Sequence, residues 1–152
     1  MAVDYLIIGH VTQDITPRGP QLGGTALYAA ATAQRLGWQV GLVTRAPATL
    51  DIEGALPGLQ LHRLETDQAT TFENHYLGND RRQIVHHAAP PLTLADIPVA
   101  WRRAPILHLA PVAREVDPSL AAAFPHSLVG ATPQGWLRDW DESGKVRYAP
   151  LA

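Results

Sequence analysis

Two short apolar runs enclose a single alanine-rich stretch, and that order restricts the fold more than any other feature of the chain. Asp4-Tyr5-Leu6-Ile7-Ile8-Gly9 carries its hydrophobicity without a break, as a strand buried on both faces must. Residues 24–36 have helical composition and stop at Gly37, and Trp38-Gln39-Val40-Gly41-Leu42-Val43-Thr44 reads as the next strand. A strand, a helix and a strand in that order bring the chain back to the same end of a sheet, so the two strands pair in parallel. An α/β sheet is the expected architecture.

The helix opens on Gly23-Gly24-Thr25-Ala26-Leu27-Tyr28. Two residues without Cβ let backbone approach a ligand closely, and the free N–H groups of a helix start attract hydroxyl oxygens or anions. The plain alternative is a turn that begins a packing helix. A dinucleotide site is disfavoured, because its fingerprint places Gly-x-Gly-x-x-Gly directly after the first strand, whereas Gly23 lies 14 residues beyond Gly9 and that spacing of glycines is absent.

The 152 residues suit one domain with its own core. A net charge of −2, with no gathering of Lys and Arg, argues against nucleic acid and against a polybasic membrane patch. The absence of cysteine excludes a disulfide scaffold and a thiolate metal site and fits a reducing compartment. The first apolar run is too short to span a bilayer, so a cytoplasmic location is expected.

Residues 59–87 lack a helical period. Thr70-Thr71-Phe72-Glu73-Asn74-His75-Tyr76-Leu77 and Arg81-Arg82-Gln83-Ile84-Val85-His86-His87 read as a hairpin around Gly78-Asn79-Asp80, with residues 59–64 as a third strand of a small inserted sheet, about 59–88. Phe72, Asn74 and Tyr76 share one strand face and Glu73 and His75 the other. Beyond Pro90-Pro91 the expected elements are a strand at 106–109, a helix begun by Asp117-Pro118 and running to about 124, and a strand at 127–130. The tail, with Gln134, Trp136, Arg138 and Trp140, has no later element to pack on. Were it helical, Trp136 and Trp140 would share a core face.

The strand ending at Gly9, the loop acid Asp14, Gly23-Gly24, the Ala-rich helix ending Arg35-Leu36-Gly37, the strand 40–44 and the inserted hairpin together resemble the N-terminal portion of a ribokinase-like sugar kinase of the PfkB carbohydrate kinase family. The tail 132–138 is similar to a segment beside the substrate in members resembling myo-inositol kinases. The resemblance implies a three-layer α/β sandwich with a mainly parallel sheet and a β-lid, and an ATP-dependent kinase acting on a sugar, polyol or nucleoside hydroxyl. It implies that Asp14 accepts hydrogen bonds from substrate hydroxyls and that Gly23 and Gly24 form the floor. Thr25 and Tyr28, where ribokinase itself carries lysine and asparagine, point away from ribose. Phe72, Asn74, Tyr76 and Gln134 are the remaining candidate contacts.

ATP, Mg2+ and the aspartate base belong, in that family, to a C-terminal half whose Gly-Ala-Gly-Asp type motif is expected roughly a hundred residues past Ala152. Gly144-Lys145-Val146 is no P-loop. The chain therefore reads as a truncated domain, a substrate-binding half without catalytic residues of its own, inactive alone, without bound cofactor or metal, and prone to dimerise through the lid or a cut sheet edge. A non-catalytic ligand-binding module of the same fold is the alternative; a dinucleotide-binding oxidoreductase ranks below both. His86-His87 point to opposite strand faces and cannot chelate one ion together. His10 reads as a packed histidine near the ligand mouth, and Glu115 and Asp117 as loop and cap residues.

Overall fold

A computed structural model describes residues 2–151. The chain runs β1 (Tyr5–Ile8), β2 (Thr12–Thr16), β3 (Gly19–Gly23), α1 (Thr25–Arg35), β4 (Val40–Arg45), a single turn α2 (Ile52–Ala55), β5 (Gln60–Leu64), β6 (Thr71–Leu77), β7 (Asp80–His87), β8 (Ile106–Leu109), β9 (Leu128–Ala131), β10 (Arg138–Trp140) and β11 (Val146–Tyr148). No helix among the described residues is long and apolar enough to cross a membrane.

The main sheet has five strands in the order β5-β4-β1-β8-β9, all parallel. The apolar run of β1 lies at its centre because both of its faces are covered. Ile7 joins Val40, Leu42 and the α1 residues Ala26, Ala30 and Ala33 on one side. Leu6 and Ile8 join Val43, Leu107, Leu109, Leu120 and Phe124 on the other. That second layer is made of short 3-10 turns, Leu94–Asp96, Val99–Trp101 and Pro118–Ala123, rather than of long helices. The helix expected from 117 to 124 is the last of these turns, capped by Asp117 accepting from the Ser119 N–H.

A second sheet of four strands, β3-β2-β6-β7, stands beside the first. It differs from the expectation in two respects. Residues 59–64 do not belong to it, since β5 pairs in parallel with β4 and Leu61 packs on the α1 core. Its other two strands come from residues 12–23, which read as a loop in the sequence. There β2 and β3 form a hairpin closed by Gly19 at φ 101, and β2 pairs in parallel with β6. Asp14 is therefore a strand residue. These strands are short and polar, so hydrophobic periodicity gives no sign of them.

The tail is not helical. Strands β10 and β11 form a hairpin whose Trp140 and Val146 pack on Phe72 and Val85, while Trp136 donates from Nε1 to the Val116 carbonyl at 2.6 Å. An Ile84–Lys145 bridge joins this hairpin to β7.

Candidate functional site

In the main sheet the chain passes from β1 to β4 and β5 on one side and to β8 and β9 on the other, so the strand order reverses between β1 and β8. The loops leaving adjacent strands there diverge and open a crevice at their carboxyl ends, where ligands of open α/β sheets bind. A cleft of about 630 Å³ lies at this place, bounded by α1, by the face of the second sheet and by the segment 112–138.

One buried carboxylate fixes the mouth. Glu115 accepts hydrogen bonds from the backbone N–H of His10 at 2.9 Å, of Val112 at 3.0 Å and of Ala113 at 2.7 Å, tying the loop after β1 to the loop after β8. Glu115 is the loop residue the sequence suggests, and the structure adds its burial and its partners: its desolvation is balanced by donors that otherwise lack partners. His10 is fully buried, with Nδ1 2.8 Å from the Thr70 hydroxyl, and lies behind the cleft rather than in it. Burial pulls its pKa down.

Asp14 stands in the cleft on β2. Its Oδ1 accepts from the Thr12 hydroxyl at 2.8 Å. Burial raises its pKa, opposed by that hydrogen bond and by Arg81 and Arg138. Gly23, paired with Thr12 on β3 and so diagonal to Asp14, makes room for it, because a Cβ there would lie 2.3 Å from Asp14 Oδ2. Gly24 has φ 92 and is the residue before α1, a helix with neither a side-chain cap nor an acid in its first turn. The first N–H groups of α1 are thus left for whatever occupies the cleft.

The cleft brings together Asp14, Gly24, Thr25, Tyr28, Phe72, Asn74 and Gln134 from the sequence-derived set. Thr25 and Gln134 meet through a hydrogen bond from Gln134 Nε2, which links α1 to the tail. Tyr28 is 64% exposed on the rim. Gly23 shapes the site from behind Asp14, and Tyr76, 72% exposed near the hairpin tip, does not line the cleft. The hairpin face that meets it is that of Phe72 and Asn74. The opposite face carries Glu73, whose two oxygens lie 2.7 Å from His75 Nε2 and 2.6 Å from His86 Nε2.

The structure adds Arg81, Gln83 and Arg138 to the site. Arg81 and Gln83 follow from the register: the chain turns on Gly78-Asn79, one residue fewer than the 78–80 turn read from the sequence, which sets Asn74 opposite Gln83 and Tyr76 opposite Arg81 and puts both on the Asn74 face. Arg138 gave no such signal, because the course of the tail is set by the bridge to β7. At the far end of the cleft, the Tyr5 hydroxyl lies 3.0 Å from His108 Nδ1, and His108 Nε2 lies 2.6 Å from the Thr132 hydroxyl. Burial raises the Tyr5 pKa and lowers that of His108.

No family model matches the sequence, and no curated protein matches it. Solved structures do. A pyrophosphate-dependent kinase in the ribokinase family, complexed with a pyrophosphate analog and myo-inositol, aligns over 95% of this chain and 54% of its own length, with a TM-score of 0.78 at 23% identity. A second structure of a pyrophosphate-dependent ribokinase-family kinase, a sulfate complex, aligns over 95% of this chain and 55% of its own length, with a TM-score of 0.76 at 22% identity. The fructokinase of Halothermothrix orenii covers 86% of this chain with a TM-score of 0.57 at 16% identity. This chain therefore has the ribokinase-like fold, over a span of about half the length of the structures it matches and consistent with an N-terminal portion.

Proposed function

We propose that the chain is the acceptor-binding part of a sugar or polyol kinase, the part that holds the hydroxyl compound to which a phosphoryl group is transferred. The observation that carries this reading is the cleft itself: at the switch point of a ribokinase-like sheet it sets a half-buried carboxylate, a glycine-opened helix start and an aromatic wall around one space. Asp14 accepts from adjacent hydroxyls, a task suited to two carboxylate oxygens. The backbone at Gly24 and Thr25 lies against the ligand, Phe72 covers an apolar ring face, and Gln83 and Gln134 offer amide groups. The second sheet, with the 71–87 hairpin as its outer half, acts as a lid that excludes water during transfer.

The described residues hold no cluster of three or more His, Cys, Asp or Glu side chains able to bind a metal, so no step is assigned to a metal on this chain. The phosphoryl donor, ATP with Mg2+ or pyrophosphate as in the neighbours named above, is assigned to residues outside the 152. Support for this division is that those neighbours are nearly twice as long. Strand β9 is exposed along its whole length at the edge of the main sheet and is the proposed surface for association with further chain or a second copy. Light scattering checks the latter, with a dimer expected.

Calorimetric titration of the chain with myo-inositol, hexoses and nucleosides tests the reading. Saturable binding of at least one of them is expected, and binding of none contradicts it. If a longer product that includes the donor half binds the polyol but transfers no phosphoryl group to it, the fold serves as a binding module instead.

A further inference from the structure

The hairpin 71–87 joins the rest of the chain at two roots, Thr70 before β6 and residues 88–90 after β7. Both roots meet at one buried hydroxyl. Thr70 Oγ1 accepts from the Ala89 N–H at 3.0 Å and lies 2.8 Å from Nδ1 of His10, which is fully buried on the loop after β1. The Thr70 carbonyl accepts from the Gln13 N–H at 2.9 Å, so the first root is also tied to the start of β2.

Residue 10 is held on its other sides. Its N–H donates to Glu115 Oε1 at 2.9 Å, and the next N–H, that of Val11, donates to the Thr44 hydroxyl at 2.9 Å. Gly24 packs against it without a side chain, since a Cβ there would lie 2.8 Å from the His10 carbonyl oxygen. One buried imidazole thus stands where the roots of the lid, the start of α1 and the carboxylate at the mouth come together.

The hydrogen bonds fix the form of that ring. The Thr70 oxygen already receives the Ala89 N–H, and Nδ1 is the acceptor that its own proton has among the described residues, so the hydroxyl donates to Nδ1 and the ring is neutral with its proton on Nε2. Burial favours the same form by pulling the His10 pKa down, helped by Arg45 and His87 and opposed by Glu115 and the Pro90 carbonyl. Among the described residues Nε2 has no hydrogen-bond partner. An apolar side chain would fill this space without stranding a nitrogen, and what the imidazole adds is the acceptor for Thr70.

Building on the reading of the second sheet as a lid over a polyol, we propose that His10 is a positioning residue of that lid: through the Thr70 hydroxyl its neutral ring clamps both roots of the hairpin to the loop after β1, and so sets Phe72 and Asn74 over the cleft. Phe72 follows Thr70 by two residues, so a shift at the root passes directly into the wall that meets the ligand. Loss of the clamp frees the hairpin and leaves the main sheet as it is.

The test is hydrogen exchange of the backbone amides of the whole chain without ligand, together with calorimetric titration with myo-inositol, for the parent, Thr70→Val, Thr70→Ser, His10→Leu and His10→Asn. Valine keeps the shape of threonine and removes the hydroxyl, and serine keeps the hydroxyl. Leucine removes the acceptor, whereas the amide oxygen of asparagine takes the place of Nδ1. In Thr70→Val and His10→Leu the amides of residues 71–87 are expected to exchange about tenfold or more faster, as the loss of a buried hydrogen bond of ordinary strength requires, while those of β1 and β4 keep their protection. The affinity for myo-inositol falls with them. Thr70→Ser and His10→Asn retain both. Should His10→Leu fail to fold, Thr70→Val against Thr70→Ser decides alone. Exchange that is unchanged in the hairpin, or that rises equally in β1, β4 and the hairpin, overturns the clamp, as does a serine variant no better than the valine one. A hairpin loosened without loss of affinity overturns the positioning role. If the parent binds no myo-inositol and the hairpin alone still loosens in Thr70→Val, the clamp stands and the polyol reading falls.

Discussion

The five-stranded sheet and the four-stranded sheet differ in what stands on their faces. Strands β1, β4 and β8 of the first are filled by Leu6, Ile7, Ile8, Leu42, Val43, Leu107 and Leu109, all buried. Strands β2, β3, β6 and β7 of the second are mostly polar, bury Phe72 and Val85 as their large apolar side chains, and turn Asp14, Asn74, Arg81 and Gln83 toward the cleft. The first sheet gains its stability from apolar area removed from water. The second is held by backbone pairing, by cross-strand hydrogen bonds and by the tail hairpin packed on Phe72 and Val85, and its polar face is left free for a ligand. Scaffold and site are thus separated by sheet, and substitutions in the two should separate stability from binding.

The largest expected effect lies in the first sheet. Leu107→Ala opens a cavity between β8 and the 3-10 layer and should cost about 2–5 kcal/mol, read as a fall in the denaturation midpoint. A cost below about 1 kcal/mol would mean that this layer is loosely packed. Next comes Gly23→Ala in the second sheet. The new methyl takes the place of the Asp14 carboxylate, so polyol affinity should fall about tenfold, by the worth of a hydrogen bond to a charged group, with a cost in stability of about 1–3 kcal/mol for the crowding. Equal affinity in calorimetry would show that the carboxylate can move without consequence.

The pH dependence of binding sharpens the contrast. Because burial raises the Asp14 pKa, the folded chain holds that proton more tightly than the unfolded chain. Its contribution to stability is therefore greatest at low pH and is lost as pH rises from the ordinary carboxylate value through the raised one. Binding runs the other way. Polyol affinity should fall on acidification with a midpoint above the ordinary aspartate value of about 3.9, and titration at successive pH values reads it. The smallest effect is expected for Asn74→Ala, which removes the acceptor shared by Arg81 and Gln83. Stability should change by about 1 kcal/mol, read as a small shift in the denaturation midpoint, because Arg81 and Gln83 can turn to solvent.

The same division governs what was legible in the sequence. Strands β1 and β4 and helix α1 stand where the apolar runs and the stop at Gly37 place them, because burial on both faces writes hydrophobicity into every position. The hairpin 71–87 was readable from its turn, but its register was not: a turn of residues 78–80 sets Asn74 opposite Ile84, whereas the chain turns on Gly78-Asn79 alone and pairs Asn74 with Gln83. Strands β2 and β3 were not readable. Gly19, Pro20 and Gln21 have poor strand propensity, and β3 lies at the sheet edge, where pairing to β2 outweighs it. The role of Gly23 followed the same course: beside Gly24 it reads as part of a floor, and only its pairing with Thr12, diagonal to Asp14, shows that its missing Cβ clears space for the carboxylate. Arg138 was out of reach because it depends on a contact between segments more than sixty residues apart, Phe72 and the tail.

The central claim is that the Asp14 carboxylate in this cleft receives the hydroxyls of a polyol. Its most direct test is isothermal calorimetry of the chain and of Asp14→Asn with myo-inositol at pH 7.5, with thermal denaturation of both. The account predicts affinity weakened about tenfold or more in the variant and a melting temperature no lower than that of the parent, because the substitution removes a charge whose burial is unfavourable. Equal affinity in the two proteins would contradict it.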